Sequence, residues 1–341
     1  MKKLFFMTTM AVLMVVATGC PPKMDALDGD GEWYALQTHT TGAGIDLVFM
    51  GDGYNAADIA GGKYERDLKT AIEGLFEIQP YKAYRSYFNI YIVKAVSAAS
   101  GIGTRGWPRN TRFSTYHAND GSMNTNLELC VAYAHNAPIK NINETVVILV
   151  ANSTQWGGIT YMWESGAAVA ICPANIYLKA VVQHEVGGHG FAKLADEYID
   201  ALTTITLPLS QIPYFHSIGW FVNVDITDNP AQVIWKDFLD IPKYSMVGFY
   251  EGAYYHSAGA WRPEDSSCMR HNVPYFNAPS RAEIVRRIKT LAGEPFTVEG
   301  FMSTDIIELP LMSAAARATF DELRSLPPLA PPVLMRAILD K

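Results

Sequence analysis

Cysteine is scarce in this chain. Four occur in 341 residues, which excludes a small disulfide-stapled scaffold. Charge is sparse as well. Only 18% of residues are charged, and 27 Lys and Arg stand against 34 Asp and Glu, a formal net charge of -7. Without a basic excess to neutralise phosphates, nucleic-acid binding is excluded as the main task. No internal repeat recurs along the chain, which excludes a solenoid. Beyond the first twenty residues no apolar run reaches the ~20 residues needed to span a bilayer. Apolar bulk is what the chain does have: 49% of residues are hydrophobic and 12% aromatic. That composition buries a large core and excludes a disordered or coiled-coil protein.

The start of the chain is a targeting segment rather than part of the fold. Lys2 and Lys3 give a positive end, and Leu4 to Val16 is apolar except for Thr8 and Thr9. Ala17-Thr18-Gly19 then places small residues directly before Cys20. This resembles the lipobox of bacterial lipoproteins, in which the cysteine becomes the lipidated N-terminus. The expectation is a signal peptide over 1–19, a lipid on Cys20, and a polar, Gly/Asp-rich tether over 20–32. The protein is then held by its lipid at the bacterial cell envelope, on the outer membrane or cell surface. Cys130, Cys172 and Cys268 remain; an odd number leaves at least one unpaired, and no disulfide is assigned.

Strand and helix signals alternate between residues 45 and 200. Ile45–Met50, Tyr87–Val96, Thr145–Ala151 and Ala167–Cys172 read as strands, the third rich in β-branched residues. Tyr64, Leu68, Ile72 and Leu75 share one face at helical spacing. Asn175 is the expected cap of a helix carrying Leu178, Val181 and Val182. Later, Ser280-x-x-Glu283 reads as a capping box opening a helix that Gly293 closes. Leu326 to Pro332 is Pro-rich and is expected to run over the surface. The pattern predicts an α/β fold with a mixed central sheet.

One stretch carries chemistry: Gln183-His184-Glu185-Val186-Gly187-Gly188-His189-Gly190. Two histidines around a glutamate is the zinc-hydrolase pattern, with imidazoles on the metal and the glutamate as base. The usual spacing is four residues and here it is five. On a regular α-helix that places the rings about 140° apart, too far to share a metal. A π-bulge at Gly187-Gly188 would absorb the extra residue. The predicted geometry is therefore an i→i+5 or interrupted ladder across 183–190. Dipeptidyl-peptidase-III-type enzymes have a similar His-Glu-x-x-Gly-His helix.

The wider segment from His184 to Tyr198 resembles the zinc motif of the M64 peptidases, the family named for bacterial IgA proteinase. Leu47-Val-Phe-Met-Gly-Asp-Gly-Tyr54 is similar to that family's first strand and turn. Trp261-Arg-Pro-Glu-Asp-Ser-Ser-Cys-Met269 is similar to its downstream motif. The resemblance spans about residues 45–290. It implies a metzincin-like zinc peptidase domain over 33–325 with an active-site helix, followed by a Pro-rich tail over 326–341. His184, His189 and a carboxylate would hold Zn2+, with Glu185 as general base. Asp196 is the favoured third ligand, Glu197 and His256 the alternatives. Met269 would support the metal from below in the manner of a Met-turn. Tyr254, Tyr255 and His256 are either oxyanion-stabilising candidates or half-buried aromatics on a strand. The implied activity is an endopeptidase cutting protein or peptide substrates at the cell envelope. The alternative is a non-catalytic envelope lipoprotein that uses the fold to bind a protein or glycan, against which the intact Glu185 argues.

Overall fold

The computed structural model describes residues 29–119, 121–199, 207–309 and 314–335. The segment 1–28, with Cys20, lies outside them. Among the described residues the strands are β1 (Trp33–Gln37), β2 (Ile45–Asp52), β3 (Phe88–Val93), β4 (Gly103–Thr104), β5 (Tyr116–His117), β6 (Met123–Asn124), β7 (Val146–Ala151), β8 (Ile159–Trp163), β9 (Ala168–Pro173), β10 (Tyr250–Ala253), β11 (His256–Arg262) and β12 (Val333–Met335). No helix among them is long and apolar enough to cross a membrane.

Seven strands form a mixed sheet in the order β1-β3-β2-β7-β9-β8-β12. The four central strands β3, β2, β7 and β9 are mutually parallel. Every residue of those four is buried, which is why they read as continuous apolar runs. A parallel sheet is covered on both faces, so neither face needs polar residues. Side chains alternate between two cores. Leu47, Phe49, Ile148, Val150, Ala170 and Cys172 pack towards Leu68, Ile72, Val181 and Ile284. Val48, Met50, Val147, Leu149, Val169 and Ile171 pack towards Phe113, Cys130 and Val131. The helices Lys63–Phe76 and Ala278–Leu291 therefore lie on one face and Leu127–Ala134 on the other. Antiparallel strands flank the parallel centre: β1 beside β3, and β8 beside β9.

Several local expectations differ in detail. Asn175 does not cap the following helix. Its side chain closes a turn on the Tyr177 amide (2.8 Å), and the helix starts at Leu178. The late helix opens at Ala278, one turn earlier than the Ser280 box implied. Asn277 is the cap, accepting from the Ser280 amide at 3.0 Å. Pro279 then occupies the first turn, where no backbone donor is needed. Gly293, at φ 74°, stands just past the end of this helix as expected. Within the expected tether, Asp30 is tied down, accepting from the Val96 amide (2.8 Å) and the Tyr133 phenol (2.7 Å).

The stretch 326–332 does not simply run over the surface. Leu329 is 2% exposed and belongs to the main core, and Val333–Met335 joins the sheet as β12. Asp52, between two glycines, is more than a turn residue. Its buried carboxylate accepts from Ser97 Oγ, Thr111 Oγ1 and the amides of Phe113 and Thr115 at 2.8–3.1 Å. It gathers a long loop over the sheet end. The three described cysteines are buried and unpaired.

Candidate metal centre

The helix after β9 begins as a regular α-turn over Leu178–Val182 and continues as a π-helix over Gln183–Phe191. The ladder widens where the sequence carries its extra residue. The Ala192 amide reaches back five residues to the Gly187 carbonyl at 3.2 Å. Glycine is unfavourable in a helix interior by ~1 kcal/mol each, and packing explains the pair. A Cβ on Gly188 would collide with the Met269 thioether, and one on Gly187 would sit 3.0 Å from the Tyr81 ring. The Tyr81 phenol then donates to the Gly187 carbonyl at 2.7 Å.

Widening the turn brings both imidazoles to one point. His184 Nε2 and His189 Nε2 lie 3.1 Å apart. Asp196 Oδ1 lies 3.1 Å from the first and 3.3 Å from the second. These three residues form a group able to hold a metal ion, with 0–1% side-chain exposure. Each ring places its other nitrogen on a backbone carbonyl: His184 Nδ1 on Cys268 O (3.0 Å) and His189 Nδ1 on Leu194 O (2.8 Å). A carbonyl only accepts, so Nδ1 carries the proton and Nε2 of the neutral ring is a bare lone pair. Three acceptors facing one another without a proton between them repel; a cation at their centre makes them ligands. Tetrahedral ligands ~2.0–2.1 Å from a metal stand ~3.3 Å apart, and the observed separations match. Burial alone would raise the Asp196 carboxyl. Positive charge at this point, on protonated His189 and His184 imidazoles or on a cation in their place, outweighs it and holds the group below the ordinary carboxylate range.

Glu185 lies beside this triangle, fully buried. Its Oε2 accepts from Thr160 Oγ1 on β8 at 2.7 Å. Its Oε1 is buried without a hydrogen-bond partner among the described residues. Burial pushes its carboxyl up to about 8, against the opposing pull of His184 and the Thr160 hydrogen bond. A buried carboxylate oxygen left unpaired is expensive, and such groups concentrate where chemistry is done.

The other candidates fall elsewhere. Glu197 points away from the triangle and is held by Asn223 (2.8 Å), Asn277 (2.7 Å) and Ser267 (2.6 Å). His256 sits on the Leu207 carbonyl at 2.6 Å. Met269 is fully buried beneath Gly188. Tyr254 and Tyr255 are neither strand residues nor loose aromatics. They form the tip of the β10–β11 hairpin, both at positive φ (51° and 66°). Two consecutive left-handed residues suit a tight hairpin turn but strain non-glycine residues. The strain is held by the 196–198 segment, since the Tyr254 amide donates to Asp196 O (3.0 Å) and the Tyr255 amide to Tyr198 O (2.9 Å). The Tyr255 phenol donates to Asp196 Oδ2 at 2.6 Å, and Tyr198 stacks on His184 with ring centroids 5.7 Å apart. Sequence reasoning missed Thr160 and the bond from Tyr255 to Asp196. The hairpin carries no Asn-Gly or Asp-Gly signal, and both contacts join distant parts of the chain.

Fold and site together define a mixed α/β protein in which a widened helix and the loop after it bring together a His–His–Asp group able to hold a metal ion. The chain belongs to the IgA peptidase M64 family, whose model matches residues 35–244. That span holds His184, Glu185, His189 and Asp196 and stops short of Met269. Among solved structures, metalloproteinase-II from Bacteroides fragilis is similar at 14% identity and a TM-score of 0.27, over 52% of this chain and 52% of that one. The chain thus spans about half the length of that structure. No curated protein matches the sequence.

Proposed function

We propose that this protein is a zinc-dependent endopeptidase of metzincin-like design, anchored at the bacterial cell envelope by a lipid on Cys20. The observation that carries the zinc reading is the convergence of two aprotic imidazole nitrogens and one carboxylate oxygen within 3.3 Å. Nitrogen and oxygen donors in a three-residue set that leaves a fourth position open suit catalytic zinc. His184, His189 and Asp196 would hold it, and zinc when bound supplies Lewis acidity that acidifies water and polarises a peptide carbonyl.

The chain's own groups do the rest. Glu185 Oε1, unpaired and beside the triangle, takes a proton from the attacking water and returns it to the leaving amine. A cation held by His184, His189 and Asp196 would favour the ionised form of the Glu185 carboxyl, which burial otherwise raises, and so suit it to act as a base. Thr160 holds Oε2, which leaves Oε1 as the working oxygen. Tyr255 holds Asp196 by its outer oxygen, and the Cys268 and Leu194 carbonyls orient the imidazoles. The side of β8 now paired with β12 suits an extended substrate chain taken as an added strand in its place. A lone binding role would leave Oε1 of Glu185 unexplained.

The test is Glu185→Gln in the purified full chain. The variant should retain zinc and fold while losing at least ~10²–10⁴ in turnover on a diverse peptide library. Near-normal cleavage would sink the mechanism.

A further inference from the structure

The centre is fully enclosed: His184, Glu185 and His189 are 0% exposed and Asp196 1%. A peptide bond cannot reach it as it stands, so some element must withdraw. The segment 326–335 packs against the residues around the centre. Its Leu329 side chain is 2% exposed within the core that includes Cys172, Val181 and Met269. The Leu329 carbonyl lies 3.5 Å from the same Tyr255 phenol oxygen that holds Asp196. The Leu329 backbone also bonds the Tyr198 phenol, whose ring stacks on His184. Upstream, Trp156 Nε1 donates to the Pro327 carbonyl at 3.2 Å. Downstream, Val333, Leu334 and Met335 pair with Tyr161, Met162 and Trp163 of β8. β8 is the strand whose Thr160 holds Glu185. The segment therefore lies as an extended chain on the edge where a substrate strand would lie, against the two tyrosines that flank the ligands.

We propose that residues 326–335 are an internal occupant of the substrate cleft, and that this cleft accepts an extended, uncharged, apolar chain once they leave it. The inference rests on the peptidase reading for its consequence and on the contacts above for its geometry. Leu326-Pro-Pro-Leu-Ala-Pro-Pro-Val-Leu-Met335 carries no charge. Its prolines favour an extended backbone and lack amide donors. They hold the segment outstretched without committing it to a full ladder. β12 is held on one side only, as the last strand of the sheet, so it can detach without opening the core strands.

The experiment uses the full chain loaded with zinc, and its Leu329→Asp and Leu334→Pro variants. Three quantities are read: hydrogen exchange of the Met162 and Glu164 amides, which alternate onto the β12 side of β8, the rate of zinc loss to 1,10-phenanthroline, and cleavage of fluorescein-labelled casein. Placing a charge at the buried Leu329, or a proline in β12, should free the edge amides. Zinc loss and cleavage should each accelerate about 10- to 100-fold as the open state gains population. Freed amides with unchanged zinc loss and cleavage would overturn the inference. So would edge amides that already exchange freely in the unmodified chain, or that stay protected in both variants. Freed amides and faster zinc loss with no cleavage by any form would leave the occupant in place and instead defeat the peptidase reading.

Discussion

At Tyr255 one hydroxyl links a strained hairpin tip to the metal-facing carboxylate. Its bond to Asp196 Oδ2 is 2.6 Å, and burial together with the Asp196 charge pushes the phenol well above its ordinary range. It therefore remains a donor throughout the working pH range. Tyr255→Phe removes that donor together with the longer contact to the Leu329 carbonyl. Loss of such an outer partner typically weakens metal binding ~10–100-fold, and zinc titration against a competing chelator should find a decrease of that size. Gly188 acts through shape instead. Its missing Cβ is where the Met269 thioether sits, so Gly188→Ala overpacks the floor of the site and should lower unfolding stability by ~1–3 kcal/mol in urea titration. An alanine variant as stable as the original would show that Met269 can move aside. Of the residues at this scale, His184, Glu185 and His189 were legible as a motif. Asp196 was distinguishable from Glu197 only as the favoured of two neighbours. Adjacent residues point in different directions, and the Asn223, Asn277 and Ser267 groups that claim Glu197 come from far along the chain.

Among the secondary-structure elements, the late helix separates two readings of its start. Asn277 Oδ1 caps the Ser280 amide, while its Nδ2 donates to Glu197 Oε1 at 2.7 Å. Ser280 is fully buried, and its hydroxyl has no partner among the described residues. Asn277→Ala should lose a cap worth ~0.5–2 kcal/mol. It also strips a donor from a buried carboxylate, worth a further ~1–3 kcal/mol. Ser280→Ala should change stability by less than ~0.5 kcal/mol or raise it slightly. Denaturant midpoints of the two variants decide between the caps, and the opposite ranking would restore the Ser280 box. The box pattern was misleading because Asn277 is followed by Ala278-Pro279, which already satisfies the first turn. The π-helix was the opposite case. Five-residue histidine spacing with two adjacent glycines is incompatible with a shared metal on a regular helix, so local geometry followed from the sequence alone. The purpose of the glycines did not, because Met269 and Tyr81 reach them only in the folded chain.

At the scale of the whole molecule, a cation at the proposed centre would couple to folding. His184, His189 and Asp196 come from a helix and the loop after it, and Tyr255 and Cys268, which hold Asp196 and His184, lie 59 and 84 residues from them in sequence, with Met269 next to Cys268. A cation bound only by the folded chain stabilises it by mass action, ~2.7 kcal/mol at a hundredfold excess over its dissociation constant. Chelation should therefore lower the Tm, and zinc should restore it. An identical Tm with and without chelator would argue that the triangle holds no metal. The proposed anchor belongs to the segment 1–20, outside the described residues. Cys20→Ala should abolish lipid labelling and move the protein out of the membrane fraction; labelled, membrane-bound variant would refute the lipobox reading.

The sequence by itself determined the four central strands, the helix between the first two, and the widened turn that brings the two histidines together. Each is written in a local period, and a parallel strand buried on both faces or a histidine pair one residue too far apart needs no distant partner to be recognised. Tertiary structure alone decided the strand order, the choice of Asp196 over Glu197, the hairpin that holds it, and the course of residues 326–335 across the site. These depend on contacts between segments far apart in the chain. A hydrophobic, proline-rich stretch has the same composition on a surface as in a cleft, and only the edge of β8 and the buried seat of Leu329 distinguish the two.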